Sequence, residues 1–170
     1  MMWSDRCIKQ AVFRGKINIS PFHEEYIQPN SIDLTLDDEI LILDRGTNDF
    51  VSVLLSDFDG LRLEPGAFVL ASTVEKVTLK NGVCAQVDGK SSYGRKGLRI
   101  HQTAGFIDAG FSGNITLEMD TIGQAVELRP DMPICQLVFW DAYPSERPYG
   151  SEGLNSHYQN QEGVTKSWIK

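Results

Sequence analysis

Short alternating segments separated by turn residues limit this chain to a mainly β fold. In residues 31–36, and again in residues 115–119, apolar and polar side chains alternate as they do in strands that bury one face. Asn81-Gly82 is the strongest hairpin signal and is predicted to join residues 76–79 with residues 83–87. Strands of this length at this spacing predict a β-barrel or a β-sandwich with one or two short helices.

Size and charge narrow the functions that such a fold can have. The chain has 170 residues, which suits one domain, and residues 1–170 are predicted to form a single one. Its formal net charge of −7 disfavours general binding to nucleic acid or to an anionic membrane, because those partners need an extended basic surface. A single small polyanionic ligand remains compatible with this charge.

The cysteine pattern and the lack of long apolar runs indicate the compartment. Cys7, Cys84 and Cys135 are odd in number, widely spaced and without a C-x-x-C pair, so a disulfide framework is not expected. No apolar run approaches the roughly 20 residues of a membrane span, and the N-terminus lacks the apolar core of a signal peptide. These features predict a cytoplasmic protein.

The last part of the chain, residues 142–170, differs in composition from the rest. It is rich in Gly, Pro, Asn and Gln, and it carries Tyr149 and Tyr158 but few aliphatic residues. A segment of this composition cannot bury a core of its own. It is therefore either disordered or ordered by docking on another surface.

A cluster of cations reverses the sign of the charge in the middle of this acidic chain. Four Lys or Arg residues occur close together without an intervening acid: Lys90, Arg95, Lys96 and Arg99. The cluster predicts an anion site, with Lys90 and Arg95 for phosphates and with Ser91 and Ser92 as hydroxyl donors. Further along, the strand alternation places Glu118 on a polar face, toward a cleft or an interface, as a candidate general acid or base.

Other kinds of site match the residues less well. His23-Glu24-Glu25 resembles half of the zinc nucleobase deaminase signature, but the required P-C-x-x-C segment is absent. A serine beside His101 lacks the G-x-S-x-G elbow, and Gly89-Lys90-Ser91 lacks the first glycine of a Walker loop. His101 is interpreted as a hydrogen-bonded strand residue, while Asp33 stays open between a functional acid and an ordinary strand residue. Spacing alone leaves an anion-binding β protein.

Longer motifs are more specific. The segments GKSSYGRKGL and HQTAGFIDAGFSGNITLE, with QPNSIDLTL before them and ICQLVF and HYQNQEGV after them, resemble the dCTP deaminase family of the dUTPase-like superfamily. The joint occurrence of S-S-x-x-R and T-A-G-x-I-D-x-G-F-x-G-x-I-T-L-E carries the resemblance. It implies a distorted β-barrel assembled as a homotrimer, with active sites between subunits and with residues 142–170 as a C-terminal lid.

The resemblance also implies roles for individual residues. Glu118 would hold and deprotonate the water that attacks cytosine C4; Ser91 and the carbonyl of Ala104 would position that water, and Arg95 would stabilise the developing charge. The implied nucleotide-binding residues are Lys90, Ser92, Arg95, Thr103, Asp108, Tyr149, His157 and Gln161. No zinc takes part, and Mg²⁺ arrives with the triphosphate instead of occupying a cage of protein ligands.

The implied activity is the hydrolytic deamination of dCTP. Gly94 and residues 103–108 resemble members that also cleave the product to dUMP and pyrophosphate, which is the bifunctional alternative. A nucleotide-binding barrel without catalysis is the second alternative, and dTTP is implied as a feedback inhibitor. Two departures weaken the implied phosphate contacts: His157 stands where a lysine is common, and Lys90 stands where some members have arginine.

Overall fold

Strands make up most of the molecule. The structure, a computed structural model, describes residues 1–169; Lys170, the last residue of the predicted lid, lies outside the described residues. Residues 1–169 form two α-helices, α1 (Asp5–Phe13) and α2 (Ser91–Gly94), and short 3-10 turns at Glu24–Tyr26 and Leu55–Asp57. The strands are β1 (Ile17–Ser20), β2 (Ile27–Gln28), β3 (Ser31–Asp44), β4 (Asp49–Leu54), β5 (Leu61–Leu63), β6 (Phe68–Leu79), β7 (Val83–Gly89), β8 (Leu98–Arg99), β9 (Phe106–Ile107), β10 (Ser112–Thr121), β11 (Val126–Leu128) and β12 (Pro133–Asp141). Neither helix within residues 1–169 has the length and apolar character needed to cross a membrane.

One curled sheet organises these elements. Its ten strands follow the order β8-β10-β6-β3-β12-β7-β9, with β1 pairing with β6 and with β2 and β4 pairing with β3. Strands β5 and β11 form a separate two-stranded sheet. The predicted mainly β fold with one or two short helices is confirmed, and the helices number two within residues 1–169. The predicted homotrimer concerns the assembly and stays a prediction.

Strand β3 runs through the centre of the sheet and is longer than the alternation indicates. Residues 31–36 and the apolar residues 40–43 belong to one strand, because pairing with β6 resumes after an irregularity between Leu36 and Ile40. Ile32, Leu34 and Leu36 have at most 1% of their surface exposed. The opposite face of this half of β3 is also covered, so Asp33 is buried although its neighbours in sequence fill the core.

Asn81-Gly82 makes a turn but not the predicted hairpin. The Val83 N–H donates to the Lys80 carbonyl at 3.1 Å, and Gly82 has a φ of 95° that favours glycine. However, β6 pairs with β1, β3 and β10, whereas β7 pairs with β9 and β12. The turn residues determine the local reversal of the chain, and partners distant in sequence determine the pairing.

Strand β10 has the predicted alternation and places Glu118 outside the core. Ile115, Leu117 and Met119 are 5%, 0% and 0% exposed, while Glu118 on the other face is half-buried. In the antiparallel ladder with β6, Glu118 lies directly opposite Leu70. The carboxylate therefore stands on the non-core face of β10, which pairs with β6 and β8.

Candidate active site

A cavity of about 420 Å³ lies beside β10. It brings together five of the predicted site residues: Ala104, Asp108, Glu118, Tyr149 and Gln161. The rest of its lining is mostly apolar and comes from β4, β6, β7, β9 and the tail. An apolar cavity with a few convergent polar groups is the usual form of a small-molecule site.

Ala104 reaches the cavity on the loop before β9. The Val87 N–H of β7 donates to the Gly105 carbonyl at 2.8 Å, which holds this loop against the sheet. A side chain at position 105 would bring its Cβ to 3.1 Å from the Val87 carbonyl oxygen, so glycine permits the close approach. The Ala104 backbone is thereby held at the wall of the cavity that contains Glu118.

The turn after β9 positions Asp108 and receives the tail. The Tyr149 N–H donates to the Ala109 carbonyl at 2.8 Å, and the rings of Phe111 and Tyr149 lie 5.9 Å apart. Gly110 has a φ of 97°, and a Cβ there would come within 2.7 Å of the Tyr149 carbonyl oxygen. The start of the tail therefore packs against a turn that only glycine allows.

The rest of the tail lies along β10. Gln161 forms a parallel bridge with Gly113, and its Nε2 donates to the Asn114 carbonyl at 2.6 Å. Closer to Glu118, the Thr165 N–H donates to Thr116 Oγ1 at 3.3 Å. The tail is thus ordered by docking, one of the two outcomes that its composition predicts. Its role as a lid stays a prediction.

His101 lines the same cavity, and its environment corrects the interpretation made from the sequence. It lies in a loop and not in a strand. Within the described residues, both ring nitrogens are buried and neither has a hydrogen-bond partner. His101 is therefore not a satisfied strand residue, because a buried polar nitrogen without a partner is energetically costly.

A second pocket, of about 630 Å³, contains the start of α2. Lys90, Ser91 and Ser92 line it together with the buried Asp33. Lys90 Nζ is paired with Asp33 Oδ2, whereas Asp33 Oδ1 is buried and has no hydrogen-bond partner within residues 1–169. Asp33, left open by its sequence pattern, is therefore part of a polar pocket beside the predicted phosphate ligands.

The four clustered cations do not form one basic patch. Lys90 is paired with Asp33, and Arg99 donates through Nε to Asp120 Oδ1 at 2.7 Å. The hydrogen bond to Asp120 raises the pKa of Arg99. Arg95 is exposed and has no acidic partner among the described residues. Lys96 is likewise exposed and without an acidic partner there, so Arg95 and Lys96 are the two cations of this segment that are free to meet a ligand or another chain.

The predicted catalytic residues fall into two groups in one chain. Ala104 and Glu118 line the first cavity, Ser91 lines the second pocket, and Arg95 lines neither. Of the predicted nucleotide contacts, Thr103 and His157 also line neither; His157 is exposed and lies edge-on to Trp168 at 3.9 Å. Within one chain, Ser91 and Arg95 do not line the cavity that contains Glu118.

Several residues that shape these sites were not predicted from the sequence. In the second pocket, Gln136 accepts a hydrogen bond from Ser31 Oγ at 2.8 Å and donates to the Gly89 carbonyl at 3.2 Å. In the first cavity, Phe50 and Phe68 form much of the apolar wall. A polar residue inside the apolar run ICQLVF was the signal for Gln136, but its position opposite Asp33 depends on strand pairing.

Comparison with known proteins points to one family. A family model described as dCTP deaminase-like matches residues 2–142. A "dCTP deaminase, dUMP-forming" from Corynebacterium glutamicum is 42% identical over 98% of this chain and 95% of its own length, and one from Thermobifida fusca is 41% identical over 98% and 92%.

Solved structures support the fold. A 2′-deoxycytidine 5′-triphosphate deaminase from Agrobacterium tumefaciens superimposes with a TM-score of 0.70 at 21% identity over 83% of this chain; the chain spans about half, 48%, of that protein. The EIAV dUTPase superimposes with a TM-score of 0.50 at 20% identity, over 80% of this chain and 93% of its own. The predicted dUTPase-like fold is confirmed.

Proposed function

The chain belongs to the dCTP deaminase-like family, and from this premise we propose that it deaminates dCTP and converts the product to dUMP. The carrying observation is Glu118, a half-buried carboxylate on a rigid strand, in one cavity with Ala104 and Asp108. Both curated relatives described above are named for the dUMP-forming reaction, which supports the bifunctional form.

The proposed reaction consumes two waters. In the first step, water adds to cytosine C4, the C4–N4 bond breaks, and dCTP plus water becomes dUTP plus ammonia. In the second step, water attacks the α-phosphorus, the bond to the bridging oxygen breaks, and dUTP becomes dUMP plus pyrophosphate. Both steps are hydrolytic and need no oxidant or reductant.

Glu118 acts as the general base in the first step. It takes a proton from the attacking water and delivers protons toward N3 and the departing ammonia. General acid–base catalysis by a positioned side chain typically raises the rate about 10²- to 10⁴-fold. The Ala104 carbonyl and Ser91 position the water, and Arg95 stabilises the charge that develops on the tetrahedral intermediate.

A second chain completes the site. Ser91 and Arg95 lie apart from the Glu118 cavity in their own chain, so we assign them to the cavity of a neighbouring subunit in a homotrimer. Lys90 and Ser92, which line the same pocket as Ser91, then contact the triphosphate. Arg95 is exposed and can therefore reach the cavity of a neighbouring subunit, which supports its assignment to that cavity.

Other nucleotide contacts come from the cavity and the tail. Asp108 meets the deoxyribose or the water of the second step, while Tyr149 and Gln161 cover the bound nucleotide. Mg²⁺ enters with the triphosphate, whose oxygens and bound waters supply the octahedral ligands that it prefers. dTTP, which has the same sugar and triphosphate, is proposed as an inhibitor of this site.

Product analysis tests the proposal. Incubation of dCTP and Mg²⁺ with the purified protein should release ammonia and pyrophosphate in equal amounts, with dUMP as the nucleotide product. Accumulation of dUTP would show that the protein does not catalyse the second step. If no ammonia is released but calorimetry still detects nucleotide binding, the result would favour the nucleotide-binding barrel without catalysis.

A variant of Glu118 tests its role. Glu118→Gln keeps the shape of the side chain but removes the base, so we expect ammonia release to fall by about 10²-fold or more. Nucleotide affinity should change little. Glu127→Gln is the matched control, because Glu127 is exposed on β11 and lines neither pocket. Substantial turnover by Glu118→Gln would contradict the assignment.

A further inference from the structure

An apolar wall stands beside Glu118 and has no part in the proposed chemistry. Leu70 lies directly opposite Glu118, and Phe68 lies two residues before Leu70 on the same face of β6. Phe50 of β4 extends the wall, with its ring centroid 6.2 Å from that of Phe68 and an interplanar angle of 55°. All of these side chains line the cavity of about 420 Å³.

The wall begins within contact distance of the carboxylate. Directly opposed residues of an antiparallel pair have Cβ atoms about 4.5–5.5 Å apart, and diagonal neighbours remain within reach of aromatic side chains. Leu70 is the direct neighbour of Glu118 and Phe68 is a diagonal one. A base whose C4 meets Glu118 therefore has this wall at one of its edges.

Only one edge of cytosine matches such a wall. N3, O2 and the exocyclic amine need hydrogen-bond partners, and burying them against Leu70, Phe68 and Phe50 would leave them unpaired at a cost. The C5–C6 edge is apolar, and C5 is bonded to C4. A base oriented for attack by the Glu118 water therefore presents C5 to the aromatic pair.

The tail holds one member of this pair. Lys166 Nζ lies 5.7 Å from the centroid of the Phe50 ring and 3.0 Å from Asp49 Oδ1. Hydrogen bonds from the Phe50 N–H and from Lys166 lower the pKa of Asp49, which keeps it charged for this contact. The docked tail thus places a cation beside Phe50, the residue that extends the wall.

We propose that Phe50 and Phe68 contact the C5 position of the pyrimidine. They thereby select cytosine deoxynucleotides that have hydrogen or methyl at C5 over those that have a polar substituent at C5. The inference rests on the proposed function, since it takes C4 to lie at Glu118. A methyl group gains contact with the two rings, whereas the hydroxyl of a 5-hydroxymethyl group finds no partner on them.

Competing substrates test this selection. We expect kcat/KM for 5-methyl-dCTP to exceed that for 5-hydroxymethyl-dCTP by about tenfold. Phe50→Ala and Phe68→Ala should lower this ratio severalfold, while Phe13→Ala, a change at a 92% exposed residue of α1, should leave it unchanged. A ratio that stays constant in both wall variants overturns the inference. Where an alanine variant fails to fold, Phe→Tyr at the same position replaces it, because the phenol offers the hydroxyl a hydrogen-bond partner and should lower the ratio in the same direction.

Binding of the two monophosphates separates this inference from the proposed activity. dUMP and dTMP differ only by the C5 methyl group, and their affinities are measurable by calorimetry without turnover. We expect the wild-type preference for dTMP over dUMP to fall in Phe50→Ala and Phe68→Ala but not in Phe13→Ala. If dCTP yields no ammonia but the preference still falls in the wall variants, the proposed activity is refuted and the contact of the wall with C5 is supported. If ammonia is released and the preference does not change, the contact of the wall with C5 is refuted.

Discussion

Mixed assemblies of two inactive variants give the sharpest test of the proposed site. Glu118 and Arg95 are separated in one chain, so each active site is predicted to take Glu118 from one subunit and Arg95 from its neighbour. Trimers of Glu118→Gln alone, or of Arg95→Ala alone, have no complete site. In trimers that contain both variants, some sites combine an intact Glu118 with an intact Arg95.

The expected recovery follows from the geometry of a closed ring. With equal amounts of the two chains and random assembly, a site has intact Glu118 with a chance of about one half and an intact neighbouring Arg95 with the same chance. About one quarter of the sites are therefore complete. Ammonia release from dCTP by the whole population of co-expressed trimers should reach about a quarter of the wild-type rate. Doubly tagged trimers exclude the two homotrimers and have one complete site in three, so they should reach about a third.

A matched pair of variants controls for the assembly. Ser91 and Arg95 lie within the same short segment, so Ser91→Ala and Arg95→Ala chains cannot supply an intact pair to any site. Their mixture should stay inactive, whereas Ser91→Ala mixed with Glu118→Gln should recover like the first mixture. Sites contained within single chains would give no recovery in any mixture, and that result would refute the reasoning.

Three further predictions concern stability and the tail. Lys90→Met leaves the buried Asp33 carboxylate without its cation and should lower the free energy of unfolding in urea by up to about 3 kcal/mol, with most of the loss restored by adding Asp33→Asn. Burial raises the pKa of Glu75, so the folded state penalises its ionised form. The free energy of unfolding should therefore fall as pH rises from 4.5, the ordinary pKa, through the raised pKa. Glu75→Gln should flatten this pH dependence in melting curves. Gly110→Ala should expose the tail to limited proteolysis, whereas Gly46→Ala, where the new Cβ meets only a side-chain oxygen, should not.

Local patterns predicted the features that depend on neighbours in sequence. The two-residue period of residues 115–119 correctly placed Glu118 opposite the buried face, because side-chain alternation is a property of a single strand. The composition of residues 142–170 indicated a segment that is either disordered or ordered by docking, and residues up to 169 have the second outcome. The joint motifs identified the family, which the curated relatives confirm.

Pairing between distant strands explains what the sequence did not reveal. Asn81-Gly82 reverses the chain as expected, but β6 and β7 find other partners, since the sheet order depends on contacts across the whole chain. The positions of Gln136 opposite Asp33 and of Phe68 beside Glu118 also follow from this pairing. Proximity in sequence also does not show which predicted catalytic residues share a pocket, because Ser91 and Ala104 line different ones.

A close contact between two glycines links the segment that contains Arg95 to the end of the strand that contains Glu118. A Cβ on Gly97 would lie 2.5 Å from the Gly123 nitrogen, and Gly97 has a φ of 96°, so only glycine allows this approach. The Ile122 N–H also donates to the Gly97 carbonyl at 3.1 Å. The segment with Arg95 is thereby attached directly to the turn that follows β10, the strand of Glu118. In the proposed trimer Arg95 and Glu118 of one chain serve different sites, and each chain is therefore a rigid link between two neighbouring active sites.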